Sequence, residues 1–218
     1  MYEKAKTVKT VETPTTRLRL LEAARDAIRA KGYSATTVDD ICAAAGLSKG
    51  SFFHHFASKE QLGIAAVRQF GVMATEVFGS APFSKYSDPR ERIFGYIDFR
   101  AAMLQAEIAQ FTCLLGTTVQ EVHATHPELR DACEREMSSH VAVLARDLEA
   151  AKQMYAPDAP WSAQSVGYFM QSVLQGAFIF AKARQSREIA DECLAHLRRY
   201  LETLIGRPRS SKPMEKKR

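Results

Sequence analysis

Apolar residues recur at helical spacing from residue 17 to residue 205, and no stretch alternates β-branched with polar positions between turn residues. The pattern predicts an all-α chain with helices over 16–31, 38–45, 49–55, 59–80, 89–106, 108–124, 127–154, 162–184 and 187–205. Leu20, Leu21, Ala24 and Ile28 mark the inner face of the first helix, which stops at Gly32, a residue able to take the left-handed conformation past a helix end. Thr37 with Asp40 three positions later makes a capping box for a two-turn helix whose Val38, Ile41 and Ala45 point inward. Gly46 then permits a tight turn, Leu47 plugs it from below, and Ser48 caps the next short helix, KGSFFHH. Ser58 and Gln61 repeat the capping box, with Lys59 at the first helical position. Two short helices joined in this way have helix-turn-helix spacing. The segments 81–89 and 155–161 are connections, and the first separates a small unit, 14–74, from a larger one, 82–206.

The charge is unevenly placed. A net +5 over 218 residues is unremarkable, but residues 1–19 and 207–218 together carry +8, so the body between them is net −3. The basic tails, 1–13 and 207–218, could hold a phosphate backbone through counterion release, or be solvated extensions that only aid solubility. The N-terminal tail is favoured for a DNA role because it abuts the helix-turn-helix. No run of 18 apolar residues occurs and the first twenty residues lack an apolar signal stretch, so neither a membrane span nor export is expected. Cys42, Cys113, Cys133 and Cys193 lie far apart without a CxxC pair, which argues against a structural zinc or a disulfide framework and fits a cytoplasmic location.

The run LLEAARDAIRAKGYSATTVDDICAAAGLSKGSFFHHFASKEQL (20–62) resembles the TetR family of transcriptional regulators. The glycine stop, TTVDDI, AAGLSKGSFF, HHF and SKEQL stand in family order at family distances. The resemblance implies an N-terminal three-helix helix-turn-helix DNA-binding domain and a larger C-terminal helical domain for ligand binding and dimerisation. It places Ser48, Lys49, Gly50, Ser51, Phe53 and His54 at the major groove, with Thr37 and Lys59 on backbone phosphates. The family commonly has Tyr where this chain has Phe53, so a hydroxyl that would donate to phosphate is missing; His54 or the N-terminal arm could offset it. Phe52 and Phe56 are read as core. A short recognition helix touches few base pairs, so a palindromic operator bound by a homodimer is implied. The last two long helices would pair across the two-fold axis. Val166, Phe169, Met170, Val173, Leu174, Ala177 and Phe178, with Gly176, form too wide an apolar arc for one neighbour to cover, and Ile189, Leu194, Leu197, Leu201 and Leu204 supply the partner face.

Aromatic and methionine residues spread over the middle of the chain are ordinarily core. The resemblance adds an apolar effector pocket there, with Phe94, Phe99, Met103, Thr118, Met137, His140, Phe169 and Ser172 as candidate lining for a small molecule. The segment FTCLLGTTVQEVHATHPELRDACEREM (111–137) is similar to a branch of the family in which a CLL run opens a long helix and some members sense electrophiles through the cysteine. Cys113 is the matching thiol, although no Lys, Arg or His adjoins it in sequence; a buried, inert cysteine is the alternative. His123 and His126 are three apart, but no acid or thiol nearby completes a ligand set, and no metal is expected. No nucleophile elbow, phosphate loop, HExxH or paired-carboxylate site is present, so neither a cofactor nor enzymatic activity is expected. The expected function is a ligand-responsive repressor released by a small molecule or by thiol modification. The alternative is a DNA-binding protein whose larger domain is a protein-interaction platform with a collapsed pocket.

Overall fold

The computed structural model describes residues 15–207, so the basic extensions lie outside the described residues except for Arg207. Among the described residues ten α-helices follow one another: α1 Thr16–Lys31, α2 Val38–Ala45, α3 Lys49–His55, α4 Lys59–Ser80, α5 Pro89–Met103, α6 Ile108–Phe111, α7 Leu114–Val122, α8 Pro127–Tyr155, α9 Ala163–Arg184 and α10 Glu188–Ile205. A 3-10 turn, Pro82–Lys85, joins α4 to α5, and no strand occurs among the described residues.

Local chemistry sets the first four helices. Thr37 and Asp40 exchange both capping-box bonds, Asp40 N–H to Thr37 Oγ1 at 3.1 Å and Thr37 N–H to Asp40 Oδ2 at 2.8 Å. Gly46 adopts φ 62° and ψ 41°, which lets Gly46 and Leu47 donate back to Ala43 and Cys42 and ends α2 in a tight turn. Ser48 accepts from Ser51 N–H at 3.1 Å, and α3 starts there. At α4 the box is displaced by one position: Ser58 caps Gln61, while Gln61 Oε1 accepts from Ala57. Leu47 is half-buried rather than a sealed plug.

Two elements differ from the sequence pattern. The helix expected over 89–106 ends at Met103, where Leu104, Gln105 and Ala106 bond three residues back instead of four. The helix expected over 108–124 is two, because Thr112 and Cys113 are extended. The carbonyl of Thr112 accepts from Nε of Arg29 on α1 at 2.9 Å. A contact from 83 residues away replaces the helical bond, and the CLL run opens a helix of nine residues, not a long one.

Side chains bury into two cores. One joins Leu20, Ile28, Ile41, Phe52, Phe56 and Leu62 of α1–α4 to Leu114, Val122, Leu129 and Cys133 of α7 and α8. The other joins α5 to α8, α9 and α10 around Phe94, Tyr96, Leu148, Met170 and Leu197. Cys113 packs against both. Helix α4 runs unbroken past residue 74, so the small N-terminal unit and the larger one share a helix and a core.

Candidate functional site

Helix α3 presents one chemically mixed face. Phe52 is fully buried and Phe56 nearly so, which anchors the helix from beneath. Lys49, Gly50, Phe53 and His54 are exposed on the other side, Phe53 at 57%. Lys49 Nζ lies 2.8 Å from Asp39 of α2, an exposed pair that a phosphate could replace at little cost. Gly50 leaves the first turn bare, so a duplex backbone or base edge can approach the helix tip closely. Arg17 stacks on Phe56 at 5.3 Å and Arg19 Nη2 donates to the Ala45 carbonyl at 2.5 Å, which bind the start of α1 to the turn region.

Behind this head, α1, α4, α5, α8 and α9 enclose a cavity of about 260 Å³, with the segment 110–113 completing its wall. Phe70 and Phe78 of α4, Met103, Phe111, Met137 and Val141 make it mainly apolar. A polar chain crosses one side: Gln171 Nε2 donates to Tyr96 Oη at 3.0 Å, and Tyr96 Oη stands 3.0 Å from His140 Nε2. Burial, then the charge of Arg100, lowers His140 to about 4, so it is neutral at pH 7 and its tautomer sets which of the two groups donates. The unfolded chain protonates this histidine near the usual 6.5 while the folded chain resists until about 4. Stability is therefore expected to fall as pH drops through that window. Denaturant midpoints measured from pH 7 to pH 4 should decline, and decline less in His140→Gln.

Two family models match the chain. Residues 20–66 match bacterial regulatory proteins of the tetR family, and residues 89–196 match the transcriptional regulator LmrA/YxaF-like C-terminal domain. The chain belongs to the TetR family. It is 27% identical to the transcriptional regulator AcuR of Cereibacter sphaeroides, over 75% of this chain and 74% of that one. It is 26% identical to the transcriptional repressor DhaR of Mycobacterium sp. strain GP1, over 82% and 88%. In fold it resembles the reduced form of Escherichia coli NemR, with a TM-score of 0.73 at 23% identity, covering 90% of this chain and 100% of that one. The protein is accordingly a DNA-binding transcriptional regulator with the TetR architecture.

The TetR-type head carries the residues singled out in the sequence in two different states. Ser48, Lys49, Gly50, Phe53 and His54 are exposed at the tip and face of α3, and Ser51 is half-buried beside them. Thr37 is exposed, but its hydroxyl is engaged with Asp40 Oδ2 at 2.7 Å. Lys59 donates to the carbonyls of Tyr33 and Thr36, each at 3.1 Å, and lies 4.3 Å from the Tyr33 ring centre. Its ammonium closes the α1–α2 loop and keeps one donor for other partners.

The candidate lining residues also divide. Met103, Met137, His140, Ser172 and Cys113 line the cavity. Phe94 is buried in the second core, and Phe99 lines a separate shallow groove beside the 3-10 turn. Thr118 is buried with no hydrogen-bond partner for Oγ1 among the described residues, and Phe169 faces outward against Tyr200. The sequence reading missed Arg29, Arg100, Tyr96 and Gln171, because an arginine on an amphipathic helix looks like a solvated one. All four described cysteines are free thiols. Cys113 has no charged sequence neighbour, yet the fold brings Arg29 and Lys182 within electrostatic reach of it. His126 packs edge-on to Tyr33, and among the described residues no cluster of three or more His, Cys, Asp or Glu is positioned to hold a metal. No described helix is long and apolar enough to cross a membrane.

Proposed function

We propose that the protein is a homodimeric repressor of the cytoplasm that reads a palindromic operator with α3 and releases it when a small molecule occupies the cavity. The observation that carries this reading is the course of α4, which begins at the head with Lys59 and lines the cavity with Phe70 at mid-length and Phe78 near its far end. One rigid element thus meets both the ligand and the DNA-binding unit. The effector must favour the pose that fits DNA poorly, because equal affinity for both poses shifts nothing. An open cavity of about 260 Å³ favours this over a protein-interaction platform with a collapsed pocket.

The dimer reading rests on α9. Its inner face is buried through Val166, Met170, Leu174 and Phe178, while Phe169, Ile179 and Phe180 remain exposed on the outer side. Gly176 opens on that side to free space, since a Cβ there would meet nothing within 4 Å. Such a face suits the close approach of a second copy, and Tyr200 of α10 continues it.

At the head, Lys49→Ala is expected to weaken operator binding and to lower the slope of log affinity against log salt by about 1, as loss of one phosphate contact requires. Fluorescence anisotropy over a salt series measures it; an unchanged slope would mean that Lys49 touches no phosphate. A thiol route to release is supported by the place of Cys113, a half-buried free thiol on the cavity wall. Under that route Cys113→Ser abolishes DNA release by a thiol-reactive electrophile such as N-ethylmaleimide while operator binding persists. Release that survives the substitution would remove the thiol and leave the cavity.

A further inference from the structure

Buried cations are normally paired, because an unpaired one loses its hydration without compensation. The cavity departs from this. Arg29 is only 8% exposed, and its one side-chain hydrogen bond is from Nε to the Thr112 carbonyl. Its terminal nitrogens have no anionic partner among the described residues. Asp26 is the acid whose charge bears on Arg29, but Arg25 already grips both of its oxygens, at 2.7 and 3.0 Å. Arg100 makes neither an ion pair nor a hydrogen bond among the described residues, and its guanidinium rests on the rings of Phe78 and Phe178, each centre 5.4 Å away.

The cations also press on one another. Burial first, then Arg25 and more weakly Arg100, lower Arg29 to about 10, which leaves it charged at neutral pH. Lys182, just beyond the wall and bonded to Thr117 Oγ1 at 2.9 Å, is lowered by burial and then by Arg29. The one carboxylate on the wall, Glu136, forms no ion pair with either arginine and folds over Gly71, where a Cβ would collide with it. The cavity therefore has an apolar body and a positive pole that nothing among the described residues neutralises.

We propose that the cavity binds a small organic carboxylate, its anionic group held by Arg29 and Arg100 and its short apolar part against Phe70, Met103, Phe111 and Met137. A carboxylate supplies the missing counter-charge and accepts from the planar guanidinium groups that the rings leave free. This assignment rests on the reading of the cavity as the effector site. It also gives a direct line to the head, because Arg29 belongs to α1: an anion that draws the guanidinium competes with its bond to Thr112, which joins the DNA-binding unit to the α6–α7 break.

The test uses the full-length protein loaded with the neutral fluorophore N-phenyl-1-naphthylamine, displaced by heptanoate, heptanol or heptylamine at pH 7. Heptanoate is expected to displace the probe at a concentration at least about tenfold lower than heptanol, with heptylamine the weakest. In Arg100→Gln the carboxylate should lose that advantage while heptanol is unchanged, and Arg100→Lys, which keeps the charge, should retain most of it. Equal displacement by the three compounds, or a carboxylate preference that survives in Arg100→Gln, overturns the anion assignment and leaves the effector cavity standing. Failure of the probe to bind, or of all three compounds to displace it, overturns the cavity reading and this inference with it.

Discussion

Phe180→Glu is expected to give a folded monomer whose operator affinity is lower by on the order of a hundredfold or more. Phe180 is 57% exposed on α9, beside Ile179 at 49%, so the isolated fold loses little when it becomes charged. In a two-fold dimer the same substitution enters the interface twice and places two carboxylates in an apolar seam without partners. The short α3 supplies too few contacts to hold one half-site alone, so affinity should collapse with dimerisation. Light scattering coupled to size exclusion gives the mass, and anisotropy with labelled operator gives the affinity. A variant that remains dimeric and binds normally would move the dimer axis away from α9.

Phe52→Ala should cost about 3–5 kcal/mol of folding stability, the usual range for removing a fully enclosed phenylalanine. Phe52 has no exposed surface and touches Phe53 and Phe56 edge-on or tilted, with ring centres 5.1 and 6.0 Å away. Its core continues from α1–α4 into Leu114, Val122 and Leu129 of α7 and α8. The destabilisation is therefore expected to appear in the main unfolding transition and not as separate melting of the head. Urea unfolding followed by circular dichroism measures it, with Trp161 fluorescence reporting the larger domain in the same experiment. A loss below about 1 kcal/mol, or a head that melts by itself, would show that the shared core does not couple the two units.

The head was legible because its determinants are local. Gly46, the Thr37–Asp40 box and the caps at Ser48 and Ser58 act within four residues of themselves, so the sequence places α1–α4 at the observed bounds. The break between α6 and α7 was not legible, since Arg29 decides it from a distant helix. The cavity shows the same contrast. Met103, Met137 and His140 turn toward it and Phe94 and Thr118 turn away, although all five sit at helical spacing in apolar surroundings. Periodicity gives the face of a helix but not which neighbour that face will meet. The two arginines were hidden for a related reason: only tertiary packing reveals that they lack carboxylate partners.

Two copies of α3, one from each subunit of a symmetric pair, are expected to read the operator. Selection of bound fragments from random duplex DNA, with the mass of the recovered complex determined, tests it most directly. The account predicts an inverted repeat with half-site centres about one helical turn, or a multiple of it, apart, bound by an even number of chains. Recovery of unrelated sequences, or of a single half-site bound by one chain, would contradict it.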